Sequence, residues 1–143
     1  MRPFALATTA MRRRGAFLTM AAVLFALLGV SNLLKPLQFG GAHTGFVFFG
    51  QRLAGTANAI IGPVFGLLLL AYAVGIWRMR RWALPLAWAY AGYVVVNLLL
   101  FSVRNPDRSD TGGPIFMLVY VLVAVGISGG TALLLGRRSA DLA

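Results

Sequence analysis

The chain has 143 residues, of which 59% are hydrophobic and only 11% charged, with a formal net charge of +10. Soluble domains carry about 25% charged residues, so this composition excludes one and points to membrane spans. It contains no cysteine, which excludes disulfides, thiol catalysis and cysteine-ligated metals.

Residues 1–14 form a basic N-terminal tail with Arg2, Arg12, Arg13 and Arg14, and Met11 offers a second possible start within it. Residues 15–34 then run without a charge. At about 1.5 Å per helical residue, such a run crosses a hydrocarbon core of about 30 Å. It is longer than the roughly 7–15 apolar residues of a signal peptide and is read as an uncleaved first span. Three further charge-free runs, 53–77, 82–103 and 114–136, reach the same length. Backbone groups in lipid must pair within their own segment, so each run predicts an α-helix. The expected fold is all-α, a four-helix membrane bundle over residues 15–136 followed by a short tail, 137–143. Residues 78–81 leave room for a tight helical hairpin only. The connections 35–52 and 104–113 are longer and rich in Gly, Pro, Asn and Asp, which are loop residues.

The arginines read first as a topology signal. One side of the bundle holds Arg2, Arg12, Arg13, Arg14, Arg78, Arg80, Arg81, Arg137 and Arg138, nine cations against Lys35, Arg52, Arg104 and Arg108 on the other. Short basic loops stay cytoplasmic, so both termini are expected inside a bacterial inner membrane. Attraction to anionic lipid headgroups accounts for the basic charge. No nucleic-acid motif accompanies it, so no nucleic-acid partner is expected. Trp77 and Trp82 bracket the Arg78–Arg81 cluster as interfacial tryptophans do.

No ionisable residue lies within the four runs. Ion-coupled transporters and proton relays need one. The single histidine, His43, and three aspartates make a metal site improbable on composition, and no cofactor is expected. What remains is neutral polarity. Asn32, Asn58, Asn97 and Tyr120 all fall within about 10 Å of the outer boundary at helical rise. Tyr93 shares the face of Asn97, with Tyr90 continuing it. Two readings stand side by side: interhelical hydrogen bonding, or an outward pocket for a neutral or lipid-like ligand.

Small residues point to close helix packing. Gly55, Gly62 and Gly66 recur at helical spacing in the second run, and Gly126 and Gly130 form a G-x-x-x-G in the fourth. The first loop, with Phe39, Phe46, Phe48 and Phe49 among glycines, is expected to lie in the interface or fold back over the bundle. His43, Asp107 and Asp110 are the only candidates for surface acid–base chemistry. A short echo is also present: basic residues, an apolar run and Asn-Leu-Leu occur at Arg12–Leu34 and again at Arg78–Leu99. The span plan, with an outer loop after Gly29–Pro36, resembles small four-span bacterial membrane proteins of the DoxX type; the resemblance is one of layout and carries no residue roles.

Three functions follow as expectations. The first is a non-enzymatic accessory or scaffold subunit packing against lipids and other membrane helices, as a homo-oligomer or in a larger complex. The second is a channel or carrier for a neutral or lipophilic solute. The third is a lipid-acting enzyme using the loop residues.

Overall fold

The structure, a computed structural model, describes residues 3–37, 47–104, 106 and 113–143, with no description of the side chains before Arg14. It is built of helices α1 (Pro3–Leu33), α2 (Gly55–Trp77), α3 (Ala83–Arg104) and α4 (Gly113–Arg137), with short 3-10 turns at Lys35–Leu37 and Ser139–Asp141. All four helices are long and apolar enough to cross a membrane, as expected of a multi-pass membrane protein. In the first of them the apolar stretch is Arg14–Leu33.

Two features go beyond the sequence expectation. Helical backbone already begins at Pro3, and it is interrupted at Gly15, where φ is 77° and ψ is 162°. Glycine tolerates this conformation at no steric cost, so the residues before the first apolar stretch make a separate helical piece. Within the first loop, strands β1 (Val47–Phe48) and β2 (Gln51–Arg52) pair antiparallel, Val47 opposite Arg52 and Phe48 opposite Gln51.

The helices associate as two pairs, α1 with α2 and α3 with α4, and the pairs touch one another more sparingly. Glycines set the first pair. A Cβ on Gly66 would lie 2.6 Å from the Gly29 carbonyl oxygen, and one on Gly29 would lie 2.9 Å from that of Gly66. Such backbone approach is how helices associate where no hydrophobic force between them exists.

The core sits toward one end of the bundle. Leu18, Ala21, Ala22 and Phe25 of α1 meet Leu69, Tyr72, Ala73 and Ile76 of α2, Ala83 and Ala87 of α3, and Ala132 and Leu135 of α4. This is the end that carries the α2–α3 turn, hereafter the arginine end. Met79 takes φ 51° in that turn. The turn is closed by hydrogen bonds to the chain's last residue: Ala143 N–H donates to Met79 O and Arg81 N–H to Ala143 O, both at 2.8 Å. The opposite end carries the β1–β2 hairpin.

Candidate functional site

The hairpin end is organised by one polar pair on α3. Phe49 and Gly50, at φ 46° and 76°, turn the chain between β1 and β2. Positive φ at both central residues is what a two-residue hairpin of type I′ requires. Gly50 is also pressed onto α3, since a Cβ there would lie 2.5 Å from the Leu100 carbonyl carbon. Its N–H donates to Asn97 Oδ1 at 2.8 Å, while Asn97 Nδ2 donates to Val47 O at 3.4 Å. The Tyr93 hydroxyl donates to the same Val47 carbonyl at 3.3 Å, and Arg104 donates to Phe49 O at 3.2 Å. The Phe49 ring meets Tyr93 edge-on, with centroids 5.5 Å apart. Phe48 and Phe49 thus fold back over the bundle; Phe39, His43 and Phe46 lie outside the described residues.

Beneath the hairpin the two helix pairs part around a cavity of about 510 Å³. Its polar wall includes Ser31, Asn32, Lys35, Tyr93, Asn97 and Tyr120. Its floor, toward the core, includes Phe25, Leu69 and Tyr90. Asn32 and Asn97, the matching positions of the Asn-Leu-Leu echo, face this space from opposite pairs. The cavity is open sideways: Leu28, Tyr120 and Val123 line it and are still about half exposed. Helices α1 and α4 come together nearer the arginine end, where the Phe17 ring fills the space beside Gly130. Below the floor, Tyr72 stacks between Phe25 and Tyr90, with centroids 4.9 and 6.0 Å away. Among the described residues, its hydroxyl is the one fully buried side-chain oxygen or nitrogen without a partner.

Of the five polar residues singled out in the sequence, Asn32, Tyr93, Asn97 and Tyr120 therefore meet at one cavity. Asn58, on the first turn of α2, is half-buried and does not line it. The glycines divide. Gly66 packs on α1, Gly62 against the Lys35 stem and Gly130 on Phe17, whereas Gly55 and Gly126 have nothing within 4 Å of an added Cβ.

The basic residues divide as well. Arg78, Arg80, Arg81 and Arg137 are exposed, and Arg81 also donates to Leu142 O at 3.1 Å. The side chains of Arg12 and Arg13 lie outside the described residues. Arg138 lies against Gly15, its guanidinium 3.0 Å from where a Cβ would stand. Arg14 is buried, at 3% exposure. Its guanidinium stacks 3.8 Å from the Trp77 ring centroid and donates to the Trp77 carbonyl at the end of α2. It also reaches Thr19 Oγ1 at 2.9 Å. A cation here satisfies a terminal carbonyl and complements the helix dipole.

Sequence reasoning missed Ser31 and Lys35 in the wall and Phe25 in the floor. Lys35 stands one helical turn beyond Asn32, which was a usable signal; Phe25 had none. Asp107 and Asp110 lie outside the described residues. Among those described, no cluster of three His, Asp or Glu side chains stands ready for a metal. The cavity presents the Asn32 amide with the Ser31 and Tyr120 hydroxyls above an aromatic and aliphatic floor, while the Asn97 amide and the Tyr93 hydroxyl are engaged by the hairpin. Comparison with protein-family models, curated proteins and solved structures finds no match.

Proposed function

We propose that this chain is a non-enzymatic multi-pass protein of a bacterial cytoplasmic membrane, both termini inside, that takes a lipophilic molecule from the bilayer into the cavity between its helix pairs. The orientation rests on the excess of Lys and Arg on the arginine side. The observation that carries the binding reading is the convergence of Asn32, Tyr93, Asn97 and Tyr120 on one cavity whose floor is apolar. Its size falls within the roughly 300–1,000 Å³ of small-molecule sites, and an apolar pocket with a few convergent polar groups is the usual form of such sites. The sideways opening between α1 and α4 favours a ligand that arrives through the bilayer, its polar part toward the hairpin.

A second reading, an accessory subunit packed against other membrane helices, draws on a different observation. Gly126 and Gly129 leave open space beside α4, where another helix backbone fits closely.

Native mass spectrometry of gently extracted protein separates the two. The binding reading expects a defined small-molecule mass excess that disappears in Ala124→Trp, a substitution that fills the cavity. A larger protein assembly without that excess favours the accessory subunit, and a bare monomer overturns the binding reading.

A further inference from the structure

The polar wall of the cavity divides into groups already engaged and groups left open. The Asn97 amide and the Tyr93 hydroxyl hold the hairpin backbone. Lys35, the one charged residue of the lining, has a partner of its own. The Ser128 hydroxyl donates to Ala124 O at 2.7 Å. Asn32 is different. It is only 7% exposed, and its amide has no hydrogen-bond partner among the described residues. Among those residues the Tyr72 hydroxyl is the one fully buried polar side-chain group left unpartnered, so the Asn32 amide keeps some open surface. The open space that Asn32 lines is the cavity.

Helix α2 fixes that placement. A Cβ on Gly66 would stand 2.9 Å from the Leu33 nitrogen, and one on Gly62 3.4 Å from the Asn32 carbonyl oxygen. The last turn of α1 is therefore pressed onto α2, which sets its rotation. Phe25, Leu28 and Asn32, at i, i+3 and i+7, share the face of α1 that lines the cavity. At about 1.5 Å per residue, Asn32 stands about 10 Å along the helix from Phe25. One helix thus sets a single open amide over an aromatic floor.

An open carboxamide in apolar surroundings selects for its own complement. It presents an N–H donor and a carbonyl acceptor side by side in one plane, and leaving either of them buried and unmatched is costly. A second carboxamide pairs with both at once, edge to edge. An ester accepts one bond and has nothing to donate to Asn32 Oδ1. A hydroxyl has one oxygen and meets only one of the two groups with good geometry. A charged head would exchange water for neutral partners, at a high desolvation cost. The Ser31 and Tyr120 hydroxyls, also in the lining, remain for the outer N–H of the head.

We infer that the ligand of this cavity is an amphiphile with an uncharged carboxamide head, paired edge to edge with the Asn32 amide and with its apolar part on the floor of Phe25, Leu69 and Tyr90. This rests on the binding reading above and narrows it to one class of head group.

The test compares probes of equal acyl or alkyl length on purified protein in phosphatidylcholine nanodiscs, each corrected for its partition into empty nanodiscs. The probes are radiolabelled palmitamide, methyl palmitate and hexadecyl phosphate. Palmitamide is expected to bind about fivefold tighter than the ester, as one additional neutral hydrogen bond implies, and tighter than the phosphate. Asn32→Leu is expected to abolish the preference for amide over ester, and Asn32→Gln, which keeps the amide on a longer stem, to restore part of it. Asn58→Leu removes an asparagine of similar depth that does not line the cavity and is expected to leave the preference intact. Equal binding of amide and ester by the unaltered protein overturns the carboxamide head and leaves the cavity reading standing. So does a preference that survives Asn32→Leu or is lost equally in Asn58→Leu, and so does tightest binding of the phosphate. Binding of none of the three, or binding that persists in Ala124→Trp, overturns the cavity reading and this inference with it.

Discussion

The two ends of the bundle use the same four helices to opposite effect. At the arginine end, Ala21, Ala22, Ala73, Ala83, Ala87 and Ala132 are buried, and the helices close on one another around Leu18, Tyr72 and Leu135. At the hairpin end, Phe65, Tyr90, Tyr93 and Tyr120 stand between the pairs, and a cavity remains. Side-chain size distinguishes these halves, because without a hydrophobic force between helices in lipid the approach distance is set by what stands between the backbones. The polar anchors differ in kind as well. A buried guanidinium ties α1 to the end of α2 at one end, and a neutral amide ties the hairpin to α3 at the other.

The largest expected effect strikes both ends together. Gly66→Val would force apart the α1–α2 pair on which each half is built, and overpacking of this kind costs about 3 kcal/mol. Thermal melting in detergent should fall accordingly, and an unchanged melting temperature would mean that Gly29 and Gly66 are not in backbone contact. Arg14→Ala should strike the arginine end alone. Loss of a charge-assisted bond to the Trp77 carbonyl costs about 2 kcal/mol, with a shift in tryptophan emission and unchanged exchange of the hairpin amides. Asn97→Leu should do the reverse. It costs about 1 kcal/mol, within the range of polar contacts between membrane helices. Hydrogen exchange should accelerate at Gly50, whose N–H loses the Asn97 Oδ1 acceptor. The smallest effect belongs to Gly126→Ala, which meets open space and should change melting by less than about 0.5 kcal/mol. A loss larger than this would place a partner against α4.

These contrasts show what the residue string conveys and where it stops. The helices were legible because an uninterrupted apolar run of sufficient length has few alternatives in lipid. The convergence of Tyr93 and Asn97 followed from helical spacing alone, and Asn32 and Tyr120 from depth. The burial of Arg14 was not legible. It depends on Trp77, 63 residues away, and three consecutive arginines give no local reason to single one out. The hairpin was hidden for another reason, because Phe49-Gly50 is an atypical turn pair beside the usual Asn-Gly or Asp-Gly. Gly62 was read as helix packing; it faces the Asn32 carbonyl oxygen of α1 and also the Lys35 stem, and the second neighbour needs the path of the chain after α1. Asn58 met the depth criterion and still stays outside the cavity wall, since depth does not fix which way a helix is turned.

The aromatic residues are sorted between the ends in a way that equips the molecule with two independent optical reporters. All three tryptophans, Trp77, Trp82 and Trp88, belong to the end of α2, the turn and the beginning of α3, and none lines the cavity. All four tyrosines line the cavity or, like Tyr72, stack directly beneath its floor. Indole emission therefore follows the closed end, and phenol absorption and Raman bands follow the open one. A single unlabelled sample can report occupancy of the cavity in one spectral window while the other serves as its internal reference.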